Sequence, residues 1–378
     1  GRGERRRWRG LDLGTVQTWV ESEVSRVRCP AHGVVVTHVP WARHDAGHTY
    51  GFDQQVAWLA TKCSKTAVTQ LMRIAWRTVG AVVARVWADV AAVVDPLDGL
   101  TRIGIDEISY KRGHLYLTIV IDHDTGRLVW AGPGQTMATL QGFFDELGPE
   151  RTAQITHVSA DAATYISAVV NKNCPGAIRG MDPFHVVKWA NDALNDVRVQ
   201  AWRDARKIAR STEPVRARGR PPADAPPRPA NERAKALKGA RVALWKNPEN
   251  LTEKQHAKLE WVAETDPKLH RSYLLKEALR VIFKMPYDQA VEALDRWISW
   301  ARRCRIPQFV KLSRSITTHR QQILIAIEHH LTNARTESVN TRIRILTRIA
   351  FGFQSTDALI GLAMLSLGGH PPALPGRK

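Results

Sequence analysis

Three widely separated acidic residues, Asp106, Asp161 and Glu337, have the types and surroundings of a metal site. Asp106 interrupts an apolar strand pattern, where a charged side chain needs a functional reason. Asp161 follows the apolar segment Ile155–Ser159, and open α/β sheets place their ligands at the carboxyl ends of strands. Carboxylates suit Mg²⁺, and two such ions about 3.5–4 Å apart can activate a water or a 3′-hydroxyl and stabilise the leaving oxygen at phosphorus. These acids predict phosphodiester chemistry without a covalent protein nucleophile.

The segment around Glu337 has the spacing of a polar helix face. Glu337, Asn340 and Arg344 fall at positions i, i+3 and i+7, so they share one side of a helix. We expect Asn340 to support the acidic site and Arg344 to neutralise a phosphate, with an ordinary solvated helix face as the alternative. The other basic residues expected to contact phosphates near the site are Lys111, Arg112, Arg335 and Arg342.

A sheet must position these residues, because the segment after Pro96 alternates apolar runs with turns and helical patterns. The predicted strands are Thr101–Ser109, His114–Asp122, Arg127–Ala131, Ile155–Ser159 and Ala177–Met181, and the predicted helices between the later strands are Met137–Leu147 and Thr164–Asn171. Short turns predict an antiparallel arrangement of the first three strands, and helical crossovers predict that the later ones are parallel. The order β-β-β-α-β-α-β predicts an α/β fold with a mixed sheet. Adjacent first and fourth strands would bring Asp106 and Asp161 together.

The composition indicates a polyanionic partner. The 378 residues include 55 Lys and Arg against 36 Asp and Glu, a formal net charge of +19. Nucleic acid is the first candidate and an anionic membrane surface the second. No apolar run reaches the roughly 18 residues that span a bilayer, and no signal peptide opens the chain, so we expect a cytoplasmic protein without a membrane partner. The sequence has no P-loop, no GxGxxG and no Ser-His-Asp arrangement, which argues against nucleotide-driven and hydrolase classes.

A helical segment precedes the predicted sheet. From Asp53 to about Asp95 apolar residues recur at helical spacing. A short helix over Gln54–Ala60, a turn, and a second helix starting near Lys65 have the size of a helix-turn-helix, and we expect this second helix to read DNA. A plain helical hairpin is the alternative. The residues of this segment expected to contact DNA are Ser64, Lys65 and Arg73.

The region after the sheet is predicted to be a helical insertion with a basic loop. A long helical pattern runs from Phe184 to about Arg210, and the stretch Ala201–Arg241 holds twelve Lys and Arg against four Asp and Glu. Within it Pro214–Pro229 is rich in Pro and Arg, so we expect a flexible basic loop, either a solvated linker or an arm that tracks phosphates. Helical patterns resume over Leu251–Arg303, and two more helices are expected between Thr317 and Leu367. The arginines of the loop expected to contact DNA are Arg216, Arg218 and Arg220.

Cys29 and His32 have the spacing of half a zinc site. A complete site needs two more ligands, and no Cys-x-x-Cys pair lies upstream. The remaining cysteines, Cys63, Cys174 and Cys304, are scattered, which favours reduced thiols over a disulfide scaffold. We therefore expect a partial Zn²⁺ site at most.

Several motifs occur together in one order along the chain. They are Ile105–His114, Ser159–Asp161, Asp182–Lys188 and Thr336–Arg344, with Cys29–Gly33 and Val39–Arg43 near the start. On these motifs the chain resembles the ISL-three insertion-sequence transposases over nearly its whole length. The resemblance implies an RNase H-like core, a DDE triad of Asp106, Asp161 and Glu337 holding Mg²⁺ or Mn²⁺, and a helical insertion in the 176-residue gap between the last two acids.

The resemblance also implies supporting parts. Asp182 and His185 match a D-x-x-H element, and we expect His185 to brace the active site or bind DNA rather than to ligate metal. The family carries an N-terminal zinc ribbon whose first cysteine pair would precede Gly1. We therefore expect this chain to carry a truncated ribbon. Zn²⁺ would be bound only by a complete ribbon.

The predicted function is that of a DNA transposase. It would bind double-stranded DNA at transposon terminal inverted repeats, cut it and join it to target DNA, as a homodimer or larger assembly at the bacterial nucleoid. The alternatives are an RNase H-like structure-specific nuclease, such as a junction resolvase, and a non-enzymatic helix-turn-helix regulator. The predicted segments are 1–51 (zinc-ribbon-like), 52–97 (helix-turn-helix), 98–200 (first part of the catalytic core), 201–315 (helical insertion) and 316–378 (second part of the core).

Overall fold

The computed structural model describes residues 5–111, 113, 115–161, 163–212, 229–331, 334–353 and 355–377. Over these ranges the chain is a mixed α/β structure with one five-stranded sheet and two small hairpins. The hairpins pair β1 (Arg5–Arg9) with β2 (Trp19–Glu23), and β3 (Arg26–Cys29) with β4 (Gly33–Val36). They occupy the segment for which a zinc-ribbon-like structure is predicted.

The larger sheet has the strand order β7-β6-β5-β8-β9. Its strands are β5 (Arg102–Lys111), β6 (Leu115–Asp122), β7 (Leu128–Pro133), β8 (His157–Ala160) and β9 (Ile178–Met181). The pairs β5–β6 and β6–β7 are antiparallel, as their short connecting turns predict. Strand β5 lies in the centre next to β8, so the predicted adjacency of the first and fourth strands of the core is confirmed.

Helices account for most of the remaining chain. In order they are α1 (Tyr50–Lys62), α2 (Lys65–Met72), α3 (Trp76–Ala91), α4 (Met137–Leu147), α5 (Pro149–Thr152), α6 (Thr164–Asn173), α7 (Pro183–Thr212), α8 (Pro229–Gly239), α9 (Arg241–Trp245), α10 (Glu253–Thr265), α11 (Pro267–Ile282), α12 (Tyr287–Arg303), α13 (Pro307–Thr318), α14 (Arg320–Glu328), α15 (Ala334–Ile349) and α16 (Thr356–Leu367). A 3₁₀ turn spans Pro248–Asn250.

The segment before the sheet forms three helices, one more than the predicted pair. Ser64 caps α2, because its hydroxyl accepts a hydrogen bond from the backbone N–H of Ala67 at 3.2 Å. Helix α2 ends at Met72, and its C-cap residue Arg73 has a left-handed backbone with φ of 54°. A three-residue turn then leads into α3, whose apolar side chains Val79, Val82 and Val86 are fully buried. The arrangement α2, short turn, α3 is that of a helix-turn-helix.

The insertion is more helical than its composition predicts. Helix α7 ends at Thr212, close to the predicted end at Arg210, but α8 and α9 form between the predicted Pro- and Arg-rich loop and Leu251, where helical patterns are expected to resume. Alanine and leucine side chains packed between α7 and α8 explain the difference, because burial stabilises a helix whatever charge its other face carries. Residues 213–228, with Arg216, Arg218 and Arg220, lie outside the described part of the chain.

Two further differences concern the C-terminal helices. Helix α13 was not predicted. Between Thr317 and Leu367 the described chain has α14, α15 and α16 instead of two helices, because α15 stops at Ile349 where Phe351 and Gly352 adopt left-handed backbone conformations.

The chain divides into two compact units, each with its own apolar core. The first comprises Gly1–Val158, Ala163–Ala177 and Ala334–Lys378, and the second comprises Ser159–Ala162 and Ile178–Asn333. The first core packs α1, α3 and α16 with the strands β5 and β6, and the second is built from α7 and α11 to α14. Among the described residues, no helix combines the length and apolarity required to cross a membrane.

Candidate active site

Asp106 lies on the central strand β5 and is partly buried. Its Oδ2 accepts a hydrogen bond from Asn340 Nδ2 at 2.7 Å, and its Oδ1 accepts one from the backbone N–H of Glu107 at 2.8 Å. These two donors orient the carboxylate.

Asn340 is buried, at 3% exposure, and connects the sheet to helix α15. Its Oδ1 is also buried and has no hydrogen-bond partner among the described residues. An unpaired buried amide oxygen is costly and calls for an explanation such as a water or an ion. Here it stands on the residue that orients Asp106.

Glu337 lies one turn before Asn340 and is exposed. Its position in the first turn of α15 is favourable for a carboxylate, since the N-terminus of a helix carries partial positive charge. The same helix is anchored by Val339 and Ile343, which are buried in the first core. The helix therefore has a buried apolar side as well as the predicted polar face, although Ile349 in its last turn is exposed.

Glu107 does not share the surroundings of Asp106. Its Oε1 accepts a hydrogen bond from the hydroxyl of Tyr165 on α6. Tyr165 is 58 residues from Glu107, and no local sequence pattern connects the two. Tyr165 is thus a residue near the site that sequence reasoning missed.

Asp161 and Asp182 follow β8 and β9 and belong to the second unit. Asp161 is partly buried. Asp182 is almost fully buried, and its Oδ1 accepts a hydrogen bond from the backbone N–H of Phe184 at 2.9 Å, at the start of α7. His185 Nε2 lies 3.7 Å from Asp182 Oδ2. This geometry agrees with a bracing role for the Asp182 and His185 pair.

Within the described ranges, no group of three or more His, Cys, Asp or Glu side chains is arranged to hold a metal ion. The triad of Asp106, Asp161 and Glu337 therefore stays a prediction.

Arg335, expected near phosphates, has a structural partner in the first unit. Its guanidinium donates hydrogen bonds to the carbonyl oxygens of His123 and Asp124, the latter at 2.7 Å. Burial lowers the pKa of His123 to about 4, with the positive charges of Arg102 and Arg335 adding to the effect. Arg335 thus fastens the start of α15 to the β6–β7 turn.

Close packing at Gly104 completes this region. A Cβ on Gly104 would come within 3.0 Å of side-chain atoms of Ile121, Thr336 and His123, so a larger residue would require these side chains to shift. An isolated glycine in a strand pattern is a signal of close approach, and it could have indicated this contact from the sequence.

The remaining predicted cations differ in exposure. Lys111, Arg342 and Arg344 are exposed. Arg112 lies outside the described residues. Arg73 is exposed but forms an ion pair with Asp12 and donates to the carbonyl of Thr15 at 2.9 Å.

Lys65 is buried, with Nζ 3.9 Å from the ring centre of Trp76 and 4.5 Å from that of Phe353. Burial lowers its pKa to about 8. This position removes Lys65 from the surface cations that could meet DNA, because two aromatic rings cover its ammonium group.

Cys29 and His32 meet at the tip of the β3–β4 hairpin, where Cys29 Sγ lies 3.4 Å from His32 Nδ1. This is the geometry of one half of a zinc knuckle. The described residues offer no third ligand beside the pair.

Comparison with known proteins identifies the family. Residues 103–362 match a family described as "Transposase", and residues 37–87 match the "Helix-turn-helix domain of transposase family ISL3". The matched helix-turn-helix range includes α1, α2 and most of α3. The catalytic range extends from β5 into α16 and so includes Asp106, Asp161 and Glu337.

Curated relatives agree with this match. The chain is 64% identical to the transposase for insertion sequence element IS1557 of Mycobacterium tuberculosis, from strains CDC 1551 / Oshkosh and ATCC 25618 / H37Rv, over 372 residues that cover 98% of this chain and 84% of the relative. It is 25% identical to the transposase for insertion sequence element IS1001 of Bordetella parapertussis, over 347 residues that cover 85% of this chain and 79% of the relative.

The family confirms the resemblance seen in the sequence motifs and implies DNA binding through the helix-turn-helix and the use of divalent metal ions. The chain belongs to the transposase family ISL3 and is a DDE transposase, an enzyme that cleaves DNA and transfers its strands.

Proposed function

We propose that this chain binds the terminal inverted repeats of an insertion sequence and catalyses their Mg²⁺-dependent cleavage and joining to target DNA, with Asp106, Asp161 and Glu337 as the metal ligands. The observation that carries the proposal is the 2.7 Å hydrogen bond from Asn340 to Asp106. It joins the central strand to the helix that bears Glu337, which supports a shared site for Asp106 and Glu337.

The residues present suit the ion. All three ligands are carboxylates, which are the hard oxygen donors that Mg²⁺ and Mn²⁺ prefer. The buried Oδ1 of Asn340, which has no partner in the described part of the chain, is an acceptor of the kind that a hydrated cation satisfies, because Mg²⁺ keeps several of its waters. When bound, the metal ions would activate the attacking oxygen and stabilise the leaving oxygen of the phosphodiester.

The chain's own residues position this chemistry. Asn340 and the Glu107 amide fix the orientation of the Asp106 carboxylate, and the buried residues of α15 hold Glu337 toward solvent. Asp182 and His185 brace the start of α7. The exposed Arg344 lies two turns beyond Glu337 on α15, where it would meet a phosphate of the bound DNA.

For end recognition we propose helix α3 rather than helix α2, which Ser64 caps. The turn before α3 has three residues and a left-handed Arg73, which is the connection typical of a helix-turn-helix, whereas only two residues separate α1 from α2. The second helix of such a pair enters the major groove with its N-terminal residues. Arg77, exposed in the first turn of α3, is the best placed side chain.

The joining of two ends to one target requires more than one active site, so we propose a homodimer or a larger assembly on DNA. A symmetric assembly would place one helix-turn-helix on each inverted repeat.

The decisive test uses end DNA and three conservative variants, Asp106→Asn, Asp161→Asn and Glu337→Gln. Each removes one ligand charge, so cleavage in Mg²⁺ should fall to background while affinity for end DNA measured in Ca²⁺ stays within about twofold. Asp98→Asn and Glu150→Gln serve as controls, because both acids are exposed and lie outside the proposed site. Normal cleavage by any of the three variants would refute that residue as a ligand.

The same assay separates the alternatives. A junction resolvase would cut branched DNA and leave pre-cut ends unjoined to a supercoiled target. A DNA-binding regulator would show no nicking in either Mg²⁺ or Mn²⁺.

A further inference from the structure

Helix α7 carries four cations on one face of its C-terminal half. Arg203, Arg206, Lys207 and Arg210 fall at positions i, i+3, i+4 and i+7 and are all exposed. We call this set the α7 stripe. The alanines of the same turns, Ala205 and Ala209, are buried instead. The buried alanines fix the rotation of the helix, so the stripe faces solvent in a defined orientation, unlike a basic tail.

The stripe has no acidic partner among the described residues. Asp204, the acid closest in sequence, accepts a hydrogen bond from Gln200 at 2.9 Å and forms no ion pair in that part of the chain. Two other exposed cations of the same unit have acidic partners. Arg296 lies 3.6 Å from Glu292, and Lys284 lies 3.7 Å from Glu249.

This arrangement works against the stability of the free protein. Like charges three or four residues apart on a helix repel each other, and the stripe contains four such pairs. The helix dipole offsets this only within the last turn, which includes Arg210 but not Arg203.

We infer that the α7 stripe is a binding surface for the phosphate backbone of duplex DNA. Seven residues of helix rise about 10 Å, and one strand of B-DNA presents about three phosphates over that length. Arginine and lysine side chains reach phosphates without reading base edges, so the surface would hold DNA without regard to sequence. The inference rests on the proposed function, since it supplies a second DNA contact to an enzyme already bound through its helix-turn-helix.

The test replaces all four cations with glutamine in the full chain (Arg203→Gln, Arg206→Gln, Lys207→Gln and Arg210→Gln). Glutamine is a good helix former, so α7 should persist, and a far-UV circular dichroism spectrum and the thermal midpoint check this. The matched control removes four positive charges that already have acidic partners (Lys235→Gln, Lys284→Gln, Arg296→Gln and Arg320→Gln). Dissociation constants for an end duplex and for a random duplex are measured between 50 and 300 mM NaCl.

The stripe variant should bind both duplexes more weakly by the same factor. The slope of log K against log salt should become shallower by about 3, because each lost phosphate contact removes about 0.9 from the slope. The control should keep a slope within about 1 of the wild type.

A stripe variant with the wild-type slope, or a control that loses as much, would overturn the inference. Mg²⁺-dependent cleavage of end DNA by the wild type reports separately on the proposed function. If that cleavage is absent while the salt dependence of the stripe variant is still shallower than that of the wild type, the proposed function is refuted and the inference about the α7 stripe is retained.

Discussion

At the scale of single residues, the orientation of Asp106 depends on a neighbour that does no chemistry. The Asn340 side-chain amide donates one hydrogen bond to the carboxylate, and its oxygen is buried without a hydrogen-bond partner among the described residues. Partners that orient metal ligands commonly matter almost as much as the ligands themselves. In the proposed site Asn340 is therefore a positioning residue, and it should influence the reaction rate rather than DNA affinity.

We predict that Asn340→Ala lowers the rate of end cleavage by about 10- to 100-fold, because the Asp106 carboxylate loses its side-chain donor. Affinity for end DNA should change by less than about twofold. A Mg²⁺ titration of single-turnover cleavage measures the effect, and the concentration for half-maximal rate should rise. Thr341→Ala, on the exposed side of the same helix, is the control. Equal rates for the two variants would show that the hydrogen bond has no role in catalysis.

The sequence allowed part of this arrangement to be predicted. The spacing of Glu337 and Asn340 on one helix face follows from helical periodicity alone. The partner of Asn340 does not, since Asp106 is 234 residues away and reaches it only through tertiary packing. The Tyr165 to Glu107 bond escaped prediction for the same reason.

At the scale of elements, Lys65 joins three of them. It is the first residue of α2, and its ammonium lies against Trp76 at the start of α3 and Phe353 in the loop between α15 and α16. The partial positive charge at the N-terminus of α2 disfavours the Lys65 ammonium group, in addition to the free-energy cost of burying it. The two rings offset part of that cost, since desolvated cation–π contacts contribute about 2 kcal/mol.

This burial predicts an unusual dependence of stability on pH. The pKa of Lys65 falls from its ordinary 10.5 to about 8 in the folded chain. Between these values the unfolded state binds more protons than the folded state, so the free energy of unfolding contributed by Lys65 rises with pH. Compared with Lys65→Met, the wild type should gain roughly 2 kcal/mol of stability between pH 7 and pH 9.5.

Urea unfolding of both proteins at the two pH values measures this gain. The matched control replaces the exposed Lys62 with methionine, and its difference from the wild type should stay constant over the same range. A constant difference for Lys65→Met as well would mean that the ammonium is hydrated in solution.

Elements with strong local signals were predicted well. Helix α4 matches its predicted bounds, and the strands of the large sheet agree within about three residues, because turns and apolar alternation are local features. The helices α8 and α13 were missed. Proline begins both of them, and their stability comes from burial in the second core rather than from a pattern visible in the sequence.

At the scale of the whole molecule, recognition and catalysis occupy different stretches of one chain. The helix-turn-helix match covers residues 37–87 and the catalytic match covers residues 103–362. A net charge of +19 provides affinity for any DNA, so specificity for an end must come from a few contacts with base edges. Loss of such a contact should therefore reduce selectivity and leave the chemistry intact.

We predict that Arg77→Ala, in the first turn of α3, weakens binding to end DNA by about 1–3 kcal/mol and leaves affinity for random duplex nearly unchanged. At saturating protein the cleavage rate on end DNA should remain within about threefold of the wild type, because the acids and Asn340 are untouched. Gln70→Ala, an exposed residue of α2, is the matched variant on the competing helix and should have little effect on either measurement. The reverse pattern, with selectivity lost in Gln70→Ala and kept in Arg77→Ala, would assign recognition to the helix that Ser64 caps.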